Sequence, residues 1–158
     1  LTGHLVLSTL HTNDAPSTIT RLINMGIEPY LVSSSLLLVV AQRLIRRLCS
    51  KCKEEAAYPP KVLIDVGFSP EEAKTLKIFK PKGCPVCHQT GYKGRVGLFE
   101  VMEISDEIKE LIASGTSHSE LRRKAIEQGM FTLRKSGLEK VKNGMTSIEE
   151  VVRETVKV

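Results

Sequence analysis

The chain has 158 residues, 41% of them hydrophobic and 4% aromatic, with a formal charge of +5 and a pI of about 9.1. That length suits one ordinary domain or two small ones, and the basic balance permits contact with nucleic acid, nucleotide phosphates or anionic lipid without selecting among them. The longest apolar run, Tyr30 to Ala41, holds Ser33, Ser34 and Ser35 and is too short to span a bilayer, and no secretory segment is visible.

The chain opens abruptly: Leu1-Thr-Gly-His4 enters an apolar stretch with no methionine before it, which reads as the interior of a longer chain. His4 to Leu10 is uncharged and mostly apolar, as a buried parallel strand would be. His11-Thr-Asn-Asp then breaks the pattern, and Asp14 or Asn13 can cap a helix with Pro16 in its first turn, carrying Ile19, Leu22, Ile23 and Met25 and ending at Gly26. Strand, polar loop and capped helix make half of a βαβ unit. Ligands of open α/β sheets bind at the carboxyl ends of strands, so His11, with Thr12 and Asn13, is the better placed of two histidines to touch a phosphate. His4 is separated from it by an odd number of positions, which would set it on the opposite face, where a hydrogen-bonded core histidine is the commoner outcome.

Pro29 opens a second helix, expected to run from Tyr30 to about Ala41 and to be buried on nearly every side. Gln42 to Leu48 reads as a strand with Arg43, Ile45 and Arg47 on one face and Leu44, Arg46 and Leu48 on the other.

Cys49-Ser-Lys-Cys52 follows, and Cys84-Pro-Val-Cys87 repeats the spacing; these are the chain's 4 cysteines. A CxxC turn aims two thiolates at one ion, and two such turns supply the four sulfur ligands that tetrahedral Zn²⁺ prefers. A disulfide framework suits a small secreted chain, and a redox CxxC has no need of a second copy. With all four positions filled by sulfur the ion is structural, and it folds a segment short of apolar residues. Lys51, Lys53 and Lys82 would offset the net negative charge of four thiolates on Zn²⁺. Losing one thiol is expected to unfold residues 49–97 and leave the last helices intact.

Between the cysteine pairs, Lys61 to Val66 and Pro70 to Leu76 read as short helices, the second capped by Ser69. Val62-Leu-Ile-Asp65 imitates a Mg²⁺-binding strand but lies between two prolines and Gly67, so a helix is the expectation. Gly91, Gly94 and Gly97 serve tight turns ahead of a strand at Leu98 to Met102, and His88 is redundant beside four thiols. The rest reads as helical. Ser105 caps Asp106 to Ala113, Ser117 or Ser119 caps Glu120 to Glu127, and Phe131 to Lys142 follows. Thr146 and Glu149 form a capping box for Ser147 to Thr155. Leu133, Leu138 and Val141, with Ile148, Val151 and Val152, make stripes suited to a small bundle. No GxxxxGK(S/T) run occurs, so nothing in the chain cradles a β-phosphate in the P-loop manner.

Thr2-Gly-His-Leu-Val-Leu-Ser-Thr-Leu-His-Thr-Asn-Asp-Ala15 resembles the histidine box of the secretion ATPases that assemble type IV pili and drive type II secretion. Ala41 to Cys49, the paired cysteines, Gly91 to Glu100 and Gly129 to Gly137 fit the same family, in its order. The tetracysteine insert resembles the assembly and secretion branch. The resemblance implies an α/β fold: the end of a RecA-like P-loop NTPase core (1–48), a zinc-binding insert (49–97) and a carboxy-terminal strand with a small helical bundle (98–158). It implies the carboxy-terminal part of a hexameric motor whose P-loop and Mg²⁺-binding acid would lie before Leu1, leaving this chain inert alone. Contacts near the γ-phosphate of ATP carry over to His11 and also to His4, and metal binding to Cys49, Cys52, Cys84 and Cys87. Arg43 and Arg46 match the family without an assignable phosphate role. The implied cofactors are Zn²⁺, and ATP with Mg²⁺ in the full-length protein. The implied setting is cytoplasmic, a homohexamer held at the inner membrane through a platform protein, with no nucleic acid. The competing reading is a basic zinc ribbon that grips nucleic acid, against which stand the few aromatics and the lack of a dense basic stripe.

Overall fold

Residues 3–155 are described by a computed structural model of the chain. Residues 4 to 12 adopt neither helix nor strand, and the apolar side chains there lie open, Leu5 at 78% and Leu7 at 90% exposure. The strand expected over His4 to Leu10 is therefore absent. A parallel strand needs hydrogen-bonding neighbours and covering layers, and among the described residues no strand pairs with it. The face argument for His4 and His11 loses its basis, and both histidines are exposed.

Helix α1, Ala15–Asn24, begins as the sequence requires: the Asp14 carboxylate accepts the Ser17 N–H at 2.8 Å, and Pro16 sits in the first turn, where a missing N–H costs nothing. Helix α2 is shorter than expected, Pro29–Ser35, and the chain then joins strand β1, Leu38–Leu48. Two local effects end the helix early. The hydroxyls of Ser33 and Ser34 donate back to the carbonyls of Tyr30 and Leu31, and the β-branched Val39 and Val40 favour a strand. Nor is the stretch buried all round, since Tyr30, Leu37, Leu38 and Val40 are exposed. In β1, Val39, Ala41 and Ile45 bury on alternate positions, and the phase then slips so that Leu48 buries in place of Arg47.

Strand β1 pairs with β4, Tyr92–Glu103, which starts earlier than expected and takes in Gly94 and Gly97. A second ladder joins β2, Glu54–Ala56, antiparallel to β3, Ile78–Lys80. Helices α3, Pro60–Val66, and α4, Glu72–Thr75, lie between them in the chain, with Ser69 and Glu72 exchanging hydrogen bonds as a reciprocal cap.

These elements form two compact units. The first takes residues up to Gln42 together with Phe99–Thr132, the second Arg43–Leu98 together with residues from Leu133 onward. In the first, α2 packs on α5, Asp106–Ala113, and α1 on α6, His118–Glu127, over buried Ile19, Ile108, Ile112 and Leu121. Ser105 and Ser117 cap these last two helices through their hydroxyls. In the second, α7, Leu133–Lys142, packs on α8, Ile148–Glu154, and on β3. Gly137 permits the close approach, because a methyl there would strike the Val151 side chain. The last four helices thus pack as two separate pairs. Val152, expected in the apolar stripe, is 43% exposed.

The cap of α8 is Ser147, whose Oγ accepts the Glu150 N–H, one position on from the Thr146 box expected. Thr146 Oγ1 is taken by β1 instead, donating to the Arg46 carbonyl at 2.9 Å, and Glu149 accepts from the Tyr58 hydroxyl. Arg46 now has a role. Its Nε and Nη2 reach the two carboxylate oxygens of Glu150 at 3.0 and 2.8 Å, and its guanidinium lies 4.1 Å from the Tyr92 ring centre. Glu150 is buried, which would raise its pKa, but the Arg46 hydrogen bonds outweigh burial and hold the carboxyl below its ordinary range. We expect Arg46→Gln to cost the second unit about 2 kcal/mol, between surface and buried pairs, because Arg46 is half-exposed and Arg153 still reaches Glu150. Urea denaturation measures this, and an unchanged midpoint would mean the pair contributes nothing.

Candidate metal centre and phosphate loop

Cys49 follows β1 directly, and its N–H donates to the Gly91 carbonyl at 2.9 Å, fastening the first cysteine turn to the start of β4. The Cys52 and Lys53 amides both turn back to the Cys49 carbonyl. The second turn is a 3-10 segment, Pro85–Cys87, after which His88 and Gln89 take left-handed φ values of 52° and 62°. That tight reversal brings the Gly91 amide to 3.2 Å from Cys87 Sγ, where the Cys84 amide also donates at 3.2 Å. Only glycine fits at position 91, with φ of 75° and no room for a methyl beside Pro81.

The four sulfurs lie within 4.8 Å of one another, and all four cysteines are free. Sγ separations are 3.9 Å for Cys49–Cys84, 3.8 Å for Cys52–Cys87 and 3.7 Å for Cys84–Cys87. A tetrahedron with metal–sulfur bonds of about 2.3 Å has edges of about 3.8 Å. The donor set therefore fits a four-coordinate, thiolate-bound metal and leaves no ligand position for water. Exposed His88 is not in the set.

Burial pushes the Cys87 thiol up, but hydrogen bonds from the Cys84 and Gly91 amides and the neighbouring thiols outweigh it and hold the thiol below its ordinary range. Desolvation, with its sulfur neighbours, pushes Cys52 up to about 11. The lysines expected to balance sulfur charge are partly engaged elsewhere. Lys53 Nζ donates to the Gly144 carbonyl at 2.8 Å and lies over Phe79, and Lys82 pairs with Glu54 at 3.2 Å. Backbone amides take over part of that task.

The second candidate site lies in the first unit. His11 and Asn13 are exposed, and Thr12 is half-buried with its Oγ1 3.0 Å from Thr18 Oγ1. Asp14 does more than cap α1: His118 Nε2 lies 3.2 Å from its Oδ1, and Arg122 donates to its Oδ2 at 2.8 Å. Neither α6 residue is evident from sequence. Their i,i+4 spacing says only that they share a helix face.

The family model for the type II/IV secretion system protein matches residues 1–153. The chain belongs to that family. Relatives include the type IV pilus assembly ATPase PilB of Myxococcus xanthus, 53% identical over 98% of this chain and 28% of its own length. PilB of Thermus thermophilus is 46% identical over 99% of this chain and 18% of its own length. The type II secretion system ATPase E of Vibrio cholerae is 47% identical over 98% of this chain and 30% of its own length. This family member spans less than a third of the length of these curated relatives. Among its described residues no helix is long and apolar enough to cross a membrane.

Proposed function

We propose that the chain is the carboxy-terminal part of a hexameric, ATP-hydrolysing motor that powers type IV pilus assembly or type II secretion. The observation that carries this is the family match over residues 1–153, with relatives from both systems named as ATPases. In this reading residues 1–48 end a RecA-like core, 49–97 form the zinc insert and 98–158 the carboxy-terminal subdomain. His11, with Thr12 and Asn13, donates toward the γ-phosphate of ATP, and His4 lies in the same histidine box. ATP with Mg²⁺ is held by a P-loop elsewhere in the full-length protein. Cys49, Cys52, Cys84 and Cys87 hold one Zn²⁺, which stiffens the second unit and takes no part in phosphoryl chemistry. The motor is cytoplasmic and meets the inner membrane through a platform protein.

Phosphoryl transfer is catalysed by positioning and by neutralising charge on the γ-phosphate oxygens. The exposed His11 side chain, on a loop whose far end is fastened, suits that work. The full-length protein is expected to hydrolyse ATP with Mg²⁺, and the 158-residue chain alone is not. It lacks the glycine-rich amides and lysine that supply most phosphate affinity. Robust turnover by the isolated chain that disappears in His11→Ala, or none by the full-length protein, would overturn the reading.

A further inference from the structure

We propose that Asp14, Arg122 and His118 are positioning residues for the hydrolysis step: a charged clamp through which helix α6 fixes the His11–Asn13 loop. This rests on the reading of that loop as a γ-phosphate contact.

A helix cap needs one acceptor for one amide, and Asn or Ser supplies it as well as Asp. Asp14 carries more. One carboxylate oxygen takes the Ser17 amide at 2.8 Å and faces His118 Nε2 at 3.2 Å, while the other takes Arg122 Nη1 at 2.8 Å. The side chains of Asp14 and Arg122 are 17% and 18% exposed, so the pair is largely withdrawn from water, where such a contact is stronger and more directional. His118 Nε2 also reaches Ser17 Oγ at 3.2 Å, which ties the ring to the first turn of α1. On the next residue, the Ala15 amide donates at 2.8 Å to Glu100, a fully buried carboxylate on β4. Thr12 is joined to Thr18. The backbone just after the loop is therefore held from α6, from β4 and from α1 itself, while His11 and Asn13 stay exposed.

That division of labour is what a phosphate contact requires. A donor aimed at a developing charge must be held within a fraction of an ångström by side chains that are themselves locked. If the cluster served only to start α1, the two α6 side chains on one carboxylate would be superfluous. The clamp also makes α6 a part of the hydrolysis site's support, although it lies more than a hundred positions along the chain from the loop.

The test uses the full-length hexamer and steady-state ATP hydrolysis, comparing wild type with Arg122→Gln, Arg122→Lys, His11→Ala and the double variant Arg122→Gln/His11→Ala. Arg122→Gln is expected to lower kcat about tenfold, the scale of a modest misplacement, with KM for ATP within about twofold. Arg122→Lys should recover most of the loss, and the double variant should be no slower than His11→Ala, because the clamp acts through that loop. Asp14→Asn, which keeps the cap hydrogen bond, should repeat the kcat effect if Arg122→Gln assembles poorly. If His11→Ala slows turnover and both Arg122→Gln and Asp14→Asn do not, the clamp is wrong and the phosphate reading stands. If activity falls only in proportion to lost hexamer, the residues are merely structural and the proposal is overturned. If His11→Ala turns over at the wild-type rate, the phosphate reading falls and takes the clamp with it.

Discussion

Cys84→Ser should melt the second unit and leave the first folded. On the proposed reading a metal held by the four sulfurs ties residues 49–52 to residues 84–87, and the ladder between them, β2 with β3, is three residues long on each side. So short a ladder does not hold itself together in water. Structural zinc contributes on the order of 10–16 kcal/mol in small metal-dependent folds, as much as the whole stability of an ordinary domain. Sequence alone places the damage in residues 49–97 and spares the last helices, but the contacts extend it. Lys142 of α7 is ion-paired with Glu72 of α4, and Lys53, just after the first cysteine turn, holds the Gly144 carbonyl between α7 and α8. Both α7 and α8 should loosen with the insert, while α5 and α6 remain. Amide hydrogen exchange reads this directly: protection should vanish in residues 43–98 and 133–155 and persist in 106–127. Retained protection in the cysteine segment of the variant would contradict it.

His11→Ala should cut ATP turnover of the full-length protein by about ten- to a thousandfold, the range for removing one positioned donor. ATP affinity should change far less, because on the proposed reading the β-phosphate is held by a P-loop elsewhere in the full-length protein. The exposed position of His11 makes the substitution cheap for folding, so a loss of rate would not be a loss of structure. A smaller effect of His4→Ala would follow from an opposite-face placement on a strand, and the exposed, strandless position of His4 removes that ground. Steady-state hydrolysis and nucleotide binding for His11→Ala check this, and turnover at the wild-type rate would reduce His11 to a loop residue.

The clustering of the four cysteines was legible because its chemistry is local: two residues between cysteines fix a turn, and the turn fixes where the sulfurs point. Caps were legible for the same reason at Asp14, Ser69 and Ser105. Where a hydroxyl had a rival partner, the reading slipped, as at Thr146, which β1 claims and so passes the cap to Ser147. Apolar runs were less informative. Tyr30 to Ala41 divides into helix and strand, since hydrophobicity without a clear period fits either. His4 to Leu10 reads as a buried strand, but burial depends on neighbours that no local pattern reports. The pairs Arg46–Glu150 and Asp14–Arg122 join residues 104 and 108 positions apart, and nothing in a single sequence marks such partners.

The most direct test of the proposal that zinc stiffens the second unit is elemental analysis of the chain purified without chelator. One zinc per chain, lost on Cys84→Ser, is the result expected from sulfurs 3.9, 3.8 and 3.7 Å apart for Cys49–Cys84, Cys52–Cys87 and Cys84–Cys87. Well under one zinc per chain, in protein whose second unit is nonetheless folded, would contradict it.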